Sequence, residues 1–238
     1  MIHWSNNFFN DLYYRFDQLK TDNIINIKNF INHFCNQNEV ICDLCCGYGR
    51  IAFKLANENY KYLTGIDKSS ELLQIAKKTN KEQNTNINFM CKDVRFLEKG
   101  DFDLVFFFGT SFGYYNDRDN NRIIKSINNI LKPGGLFLFQ QVNNPQNLFI
   151  KEEDSKYTFK KQSFFHEDER IYEGEYSFHN KFNQKNISYK FNIHLYNKDE
   201  LIDMFTNNGF NSIEYWGGFN FESFGKDSKD LIIKSLKL

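Results

Sequence analysis

The sequence contains little proline, little methionine and no long apolar run. It has 2 Pro and 3 Met among 238 residues, and no apolar stretch approaches the ~18–20 residues that span a bilayer. Its first residues also lack the basic start, apolar centre and small-residue cleavage site of a secretory signal. We therefore expect a cytoplasmic protein that has no membrane partner.

Cysteine is scarce and unevenly spaced. Of the 5 Cys, Cys42, Cys45 and Cys46 form one cluster, whereas Cys35 and Cys91 are isolated. An odd number without a regular framework indicates reduced thiols rather than disulfides. No second Cys/His pair follows the cluster at zinc-finger spacing, so we predict no metal site.

Neither sign of charge is in excess. The chain has 30 Lys+Arg and 30 Asp+Glu, which gives a formal net charge of zero. Proteins that bind duplex nucleic acid usually carry a basic excess that neutralises phosphates. We therefore expect no duplex nucleic acid as a partner. The oligomeric state is left open between a monomer and a homodimer.

Aromatic residues, in contrast, are abundant. The chain has 27 Phe and 13 Tyr, and hydrophobic residues make up 41% of it. Mean hydropathy is nevertheless −0.61 because polar residues separate the apolar runs. The composition predicts a folded core rather than disorder, and the length is sufficient for one α/β domain with an insertion.

The apolar pattern alternates between helical and strand periods over most of the chain. From Trp4 to Phe34 the apolar residues recur at steps of three and four, which predicts two helices. Strands are then predicted at Val40–Leu44, Tyr62–Ile66, Ile87–Met90, Asp103–Phe108 and Leu136–Phe139, and later near Ile213–Trp216 and Leu231–Ser235. Helices are predicted at Arg50–Asn57, from Ser69 or Ser70 onward, at Asp119–Leu131 and at Lys198–Asn208. Such alternation is typical of a mostly parallel sheet.

A different pattern interrupts this alternation after Pro145. From about Tyr157 to Tyr196, apolar and polar residues alternate with the two-residue period of half-exposed antiparallel strands. We therefore predict a main domain of residues 1–150 and 197–238 and an inserted antiparallel sheet at residues 151–196.

The strand Val40–Leu44 leads into a glycine turn that contains Gly47 and Gly49. A strand that ends in such a turn at a helix start lets a ligand approach the backbone closely. Asp67 ends the next strand, where an acidic residue binds the ribose diol of an adenosine ligand on this topology. These features alone also fit a nicotinamide dinucleotide enzyme.

Five segments in order resemble the motifs of class I S-adenosylmethionine-dependent methyltransferases. They are Val40–Arg50 around the glycine turn, Gly65–Ser69, Cys91–Val94, Phe102–Val105 with Gly109, and Leu131–Gly135. The resemblance covers about residues 40–143, and the set is far more specific than any one motif. It implies a Rossmann-like, doubly wound α/β fold: a mostly parallel seven-stranded sheet with an inserted antiparallel β lid and N-terminal helices.

The resemblance also implies S-adenosylmethionine as cofactor and S-adenosylhomocysteine as product. Asp67 would hold the ribose hydroxyls, Asp93 and the Val94 backbone would contact the adenine, and the Gly47 turn would pass beside the methionine part. One departure concerns Cys45, where the family usually has glycine. The full expected cofactor set is Tyr14, Asp43, Cys45, Gly47, Gly49, Asp67, Lys68, Asp93, Val94 and Phe108.

Further segments resemble the small-molecule branch of the family, in which N-terminal helices and an insertion cover the acceptor. These segments include Trp4, Phe8–Phe9 and Tyr13–Tyr14. The predicted acceptor contacts are Tyr114, Tyr115, Asn143, Arg170 and Tyr172, and the wider candidates are Gln140, His166, His179 and His194. No residue is identified as a general base, so both N- and O-methylation remain open.

Three alternatives accompany this interpretation. Methylation of RNA or protein is less favoured, because the chain has no basic excess and has Phe108–Ser111 where an Asn-Pro-Pro-Tyr-like motif would stand. A second alternative is a catalytically silent module that binds the cofactor as a sensor or partner subunit. A nicotinamide oxidoreductase is disfavoured because it does not explain Asp93, the Pro-Gly-Gly turn and the final strand pair together.

Overall fold

The computed structural model describes residues 5–18 and 23–238; Trp4 lies outside them. Its α-helices are α1 Ser5–Phe8, α2 Asp11–Asp17, α3 Ile24–Phe34, α4 Arg50–Ala56, α5 Ser70–Glu82, α6 Asp117–Ile130 and α7 Lys198–Asn207. A short 3₁₀ helix spans Val94–Phe96. None of the helices in these two ranges is long and apolar enough to cross a membrane.

Seven strands form the main sheet. They are β1 Val40–Leu44, β2 Tyr62–Asp67, β3 Asn88–Cys91, β4 Phe102–Phe107, β5 Leu131–Val142, β10 Phe210–Trp216 and β11 Asp230–Lys237. Their order is β10-β11-β5-β4-β1-β2-β3. Strand β11 is antiparallel to both of its neighbours, and the other pairs are parallel. The predicted mostly parallel, seven-stranded α/β fold is confirmed.

Helices cover both faces of this sheet, because its central strands are apolar on both sides. On one face, α6 and α7 pack through residues such as Ile127 and Phe205. On the other face, α3, α4 and α5 pack through residues such as Phe30, Leu55 and Leu73. The core is therefore layered helix–sheet–helix, and the carboxyl ends of the parallel strands share one edge.

Four strands form a second, antiparallel sheet. They are β6 Leu148–Glu153, β7 Tyr157–His166, β8 Ile171–Asn180 and β9 Asn186–His194, hydrogen-bonded in that order. The predicted pattern from Tyr157 onward corresponds to β7–β9. It missed β6, in which Leu148 and Phe149 are both exposed and the two-residue alternation is incomplete.

One face of the second sheet is apolar and is covered by the first two helices. Phe16 of α2 stacks on Phe159 with ring centroids 5.0 Å apart, and Phe8 of α1 lies 4.4 Å from Tyr176. We call this the inner face. Aromatic burial against it fixes short helices that would be marginal in isolation.

Two local details differ from the sequence prediction. The predicted first helix is divided in two, because the side chain of Asn10 accepts hydrogen bonds from the N–H groups of Leu12 and Tyr13 and begins α2. Strand β5 begins at Leu131 and includes the Pro-Gly-Gly turn, although the prediction began this strand at Leu136. Its pairing with β4 shifts register there, so the turn is accommodated as an irregularity within the strand.

The second sheet joins the main domain at close backbone contacts. The N–H of His194 donates to the carbonyl of Gly113 at 3.0 Å. Gly113 follows β4 and has φ +85°, and a Cβ there would lie 2.0 Å from the carbonyl oxygen of His194. Only glycine fits this conformation and this contact.

We expect Gly113→Ala to lower the free energy of unfolding more than Gly134→Ala. Both positions have positive φ, which costs about 1–2 kcal/mol for alanine. Gly134 has open space around a new Cβ, whereas Gly113 would also force backbone displacement at a further cost of about 1–3 kcal/mol. Urea unfolding of the two variants measures the difference, and equal losses would contradict the contact.

Candidate functional site

The glycine turn follows β1, where the order of the strands in the sheet reverses. Strands β2 and β3 lie on one side of β1, and β4 and β5 lie on the other. Strand β1 pairs with β2 on one side and with β4 on the other. Ligands of doubly wound sheets bind at such a switch point, beyond the carboxyl ends of the strands. The turn has positive φ at Gly47 (+55°) and Gly49 (+84°), and helix α4 begins after Gly49.

Cys45 also has a left-handed backbone, with φ +55°. This conformation costs a side chain about 1–2 kcal/mol, which explains why glycine is usual at this position. Burial raises the pKa of the Cys45 thiol well above its ordinary value, and the nearby Asp67 raises it further. The thiol is therefore protonated and is not a nucleophile.

Asp67 connects the glycine turn after β1 with the turn that precedes α5. Its carboxylate accepts hydrogen bonds from the N–H of Gly47 at 2.8 Å and from the N–H of Ser69 at 2.7 Å. The residue is 9% exposed. Burial raises the pKa of Asp67, although the main-chain donors and Lys68 oppose that rise. Ser69 then caps α5, as one of the two predicted caps.

Asp43 brings a second carboxylate into the same buried region. It lies in β1 and is 5% exposed. Burial raises the pKa of Asp43 well above its usual range, and the charge of Asp67 raises it further, while the Ala52 N–H and Arg50 oppose the shift. Within the described part of the chain, Oδ2 of Asp43 has no hydrogen-bond partner. Such a buried acceptor favours a cation or a donor from a ligand.

Asp93 lies at the end of the neighbouring strand. Strands β2 and β3 are parallel, with Asp67 paired to Cys91. The Asp93 carboxylate accepts from Arg95 Nη2 at 2.7 Å and from Nε at 3.1 Å. Burial alone would raise the pKa of Asp93, but Arg95 holds it below its usual value. Val94 follows, with its side chain buried.

Lys68 and Tyr115 lie on the Asp93 side of the site. The Lys68 ammonium donates to the hydroxyl of Ser5 at 2.6 Å and to that of Tyr115 at 2.9 Å. The guanidinium of Arg95 lies 4.2 Å from the centroid of the Tyr115 ring. Tyr115, predicted as an acceptor contact, therefore borders the region predicted for adenine.

Tyr14 lies near the glycine turn, whereas Phe108 does not. The Tyr14 ring packs edge-on against Tyr48, which stands between the two turn glycines, at 4.9 Å. Phe108 instead packs in the apolar core, with its ring centroid 5.3 Å from those of Phe106 and Phe219. The cofactor roles of both residues remain predictions.

Tyr114 links the glycine turn to the second sheet. Its ring stacks with Phe9 at 6.2 Å and packs with the inner-face cluster around Tyr172. Burial raises the pKa of Tyr114 well above its ordinary value, and Tyr176, Cys45 and Asp67 add to the rise. The Tyr114 hydroxyl is therefore close enough to Tyr176 of the second sheet, and to Cys45 and Asp67 at the glycine turn, for these groups to raise its pKa. It is protonated at neutral pH.

Three other acceptor candidates form internal hydrogen bonds. Arg170 donates from Nη2 to Oδ1 of Asn143 at 3.2 Å and from Nε to the carbonyl of Leu195 at 2.9 Å. Tyr172 donates to Ser163 at 3.0 Å on the inner face. These contacts attach the second sheet to the main domain, and the acceptor-binding roles of these residues remain predictions.

The wider candidates are dispersed. Gln140 bridges the Gly109 N–H and Asp230. His166 pairs with Glu173 and His179 with Asn186, at 3.1 Å and 2.8 Å, while His194 lies 3.9 Å from Asp117. The structure does not gather these side chains at the glycine turn.

Arg95, Tyr48 and Tyr176 also lie at the candidate site, and the sequence prediction did not include them. Tyr48 lies between the two turn glycines, and Arg95 lies two positions after Asp93, so each was adjacent to a motif. Tyr176 reaches the site only through the folding of the second sheet. A cavity of about 460 Å³ opens beside this region and is lined by Asn7, Phe9, Asn10, Lys68, Ser69, Ser70, Glu71 and Tyr189.

No group of three or more metal-ligating side chains occurs within residues 5–18 and 23–238. The arrangement instead offers two buried carboxylates, a glycine turn and aromatic walls. It is suited to a ligand that carries hydroxyl donors and positive charge.

Comparison with known proteins gives a consistent family match. A family model described as "Methyltransferase domain" matches residues 41–135. A demethylmenaquinone methyltransferase from Leptospira interrogans is 32% identical over 140 residues, which is 56% of this chain and 55% of that protein. The chain spans about half the length of the curated relatives it matches.

Solved structures match over nearly the whole chain. The CcbJ methyltransferase from Streptomyces caelestis superposes with TM-score 0.81 at 16% identity and covers 99% of this chain and 98% of its own. The sugar N-methyltransferase KedS8 from Streptoalloteichus has TM-score 0.74 at 15% identity and covers 95% and 92%. At these identities the likeness establishes the fold alone.

Alanine at the two turn glycines should affect stability unequally. A Cβ at Gly49 would lie 2.8 Å from the Phe89 ring, whereas one at Gly47 meets only Leu72, at 3.6 Å. Both variants should lose about 1–2 kcal/mol from positive φ, and Gly49→Ala about 1–3 kcal/mol more from overpacking. Thermal and urea unfolding test this, and a larger loss in Gly47→Ala would refute it.

The buried Asp43 should make stability depend on pH. Its folded pKa is raised, so its stabilising contribution is present below the unfolded pKa of about 3.9 and is lost as the pH rises through the folded value. The unfolding free energy of Asp43→Asn, relative to wild type, should therefore increase from acid to neutral pH. Urea unfolding at several pH values measures it, with the exposed Asp168→Asn as control. A difference that does not change with pH would contradict the burial of a charge at Asp43.

Proposed function

We propose that this chain, whose residues 41–135 match a methyltransferase domain, transfers a methyl group from S-adenosylmethionine to a small-molecule acceptor. One observation carries the proposal. The buried carboxylates of Asp43 and Asp67 flank an open glycine turn, and Asp93 follows on the adjacent strand.

The residues present fit the chemical groups of this cofactor. Its ribose diol supplies hydroxyl donors for Asp67, whose two oxygens each already accept one N–H and have a lone pair left. Its positively charged ammonium and sulfonium suit a region where two buried carboxyls have raised pKa values. Gly47 leaves space where another residue would place a Cβ.

When bound, the cofactor supplies an activated methyl group on a positively charged sulfur. The protein must then hold the acceptor lone pair opposite the departing sulfur and exclude water, and positioning of this kind lowers barriers by as much as ~7–11 kcal/mol. The aromatic rings of Phe9, Tyr114 and Tyr176 are suited to this, because ring faces attract positive charge by ~0.5–2 kcal/mol.

Tyr114 is suited to orienting the acceptor rather than deprotonating it. Its raised pKa keeps the hydroxyl protonated at neutral pH, so the group can donate a hydrogen bond but does not act as a base. An amine acceptor needs no base once it is unprotonated. This supports N-methylation at least as well as O-methylation.

Three observations support a small-molecule acceptor. The neutral net charge disfavours a polyanion. The second sheet and the first two helices cover the carboxyl edge of the main sheet with aromatic side chains. The relatives named above include enzymes named for demethylmenaquinone and for a sugar. Together these favour a small acceptor in an enclosed pocket.

Removing the Asp67 carboxylate should weaken cofactor binding. Each charge-assisted hydrogen bond to the ribose contributes about 1.5–3 kcal/mol, so Asp67→Asn should raise the Kd for S-adenosylhomocysteine about 10- to 100-fold. Isothermal titration calorimetry measures Kd, and circular dichroism with thermal melting verifies that the variant is folded.

Asp168→Asn, in the exposed turn between β7 and β8, is the matched control and should keep the wild-type Kd. Absence of S-adenosylmethionine binding to the wild type would refute the proposal. Binding of reduced nicotinamide dinucleotide in its place would favour the oxidoreductase alternative. Cofactor binding without turnover of amine, phenol and carboxylate compounds would favour a silent module.

A further inference from the structure

Lys161 is a cation in the middle of an aromatic surface. It lies in β7, where residues alternate between the exposed face and the inner face of the second sheet. Its register partner is Tyr176 on β8, and Tyr176 pairs in turn with Tyr189 on β9. The half-buried Lys161 side chain therefore shares the inner face with these tyrosines, whereas Lys160 is exposed on the opposite face.

Three rings surround the Lys161 ammonium. Its Nζ lies 5.4 Å from the centroid of Tyr172, 5.4 Å from that of Tyr176 and 5.9 Å from that of Phe191. Cation–π contacts of this kind stabilise an ammonium by ~0.5–2 kcal/mol. Within residues 5–18 and 23–238, no oxygen atom accepts a hydrogen bond from this ammonium.

Among the described residues, no carboxylate forms a salt bridge with Lys161. Lys181, in the turn after β8, by contrast pairs with Glu153 at 2.9 Å. Glu152 also lies on the inner face, but it is paired in register with Phe159 rather than with Lys161. The Lys161 ammonium is thus held by rings rather than by a carboxylate, and it is available to an anionic group of a ligand.

The same rings connect Lys161 to the transfer site. Tyr176 is within electrostatic reach of Tyr114, and Tyr114 is within reach of Cys45 and Asp67 at the glycine turn. Tyr114 also packs on the cluster that contains Tyr172 and Phe191. Tyr114 and Lys161 therefore contact the same group of rings, Tyr172, Tyr176 and Phe191.

We propose that Lys161 binds an anionic group of the methyl acceptor, so that the acceptor is an anionic small molecule whose apolar or aromatic part lies against Tyr172, Tyr176 and Phe191. This inference rests on the proposed function, because it assigns the substrate class of the same site. The oxyanion receives the ammonium N–H donors, and the rings exclude water around the ion pair. Lys161 then selects and orients the acceptor without taking part in the transfer step.

Simple aromatic probes test the proposal without knowledge of the natural acceptor. Benzoate, phenyl phosphate and benzamide are titrated into protein saturated with S-adenosylhomocysteine, and their Kd values are measured by ligand-observed NMR. One charge-assisted contact should make at least one anionic probe bind about 10- to 100-fold more tightly than neutral benzamide. The two anions distinguish recognition of carboxylate from recognition of phosphate.

Variants assign the effect to one side chain. Lys161→Met, which keeps the length and apolar stem, should bring the Kd of the preferred anion to that of benzamide, and Lys161→Arg should restore most of the preference. Lys160→Met, one position away on the exposed face, should behave as wild type. All three should keep the wild-type Kd for S-adenosylhomocysteine.

Two results would overturn the inference. One is equal or absent binding of all three probes to the wild type, and the other is an anion preference that persists in Lys161→Met. Either result, with S-adenosylhomocysteine still bound, refutes the role of Lys161 and leaves the methyltransferase proposal standing. Loss of S-adenosylhomocysteine binding by the wild-type protein refutes that proposal itself.

Discussion

The rest of the site depends on the pair of hydrogen bonds that the Asp67 carboxylate accepts from the Gly47 and Ser69 N–H groups. One side chain thereby fixes the turn after β1 relative to the start of α5. A buried carboxylate with two main-chain donors is well defined in position. The glycine turn, the capped helix and the end of β2 consequently present their polar groups toward one space.

Charge in that space is unbalanced. Asp43 and Asp67 are both buried, and the charge of Asp67 adds to the rise in the pKa of Asp43, while Asp93 pairs with Arg95. The free-energy cost of burying ionised carboxylates is offset when a ligand brings hydrogen-bond donors and positive charge. The unliganded protein therefore bears the cost of burying these carboxylates.

The second sheet packs against the rest of the molecule mainly through aromatic contacts, and Arg15 of α2 also pairs with Asp154 at the turn after β6. Phe8, Phe16 and Tyr114 connect its inner face to the first helices and to the loop after β4. Close main-chain contacts at Gly113 fix where this sheet leaves the main domain. Lys161 and Glu152 are the charged residues of that face, and Lys161 lies among three aromatic rings.

The sequence by itself determined the alternating strands and helices, the glycine turn and the carboxylates at strand ends, because periodicity and turn residues act over a few positions. It therefore identified Asp67 and Asp93 correctly as neighbours at one edge of the sheet. Only the tertiary structure decided that Arg170 and Asn143 bind each other, that Phe108 packs in the core and that Lys161 lies among three rings. Those contacts join residues far apart in the chain, and their partners are chosen by how the two sheets pack, which local patterns do not encode.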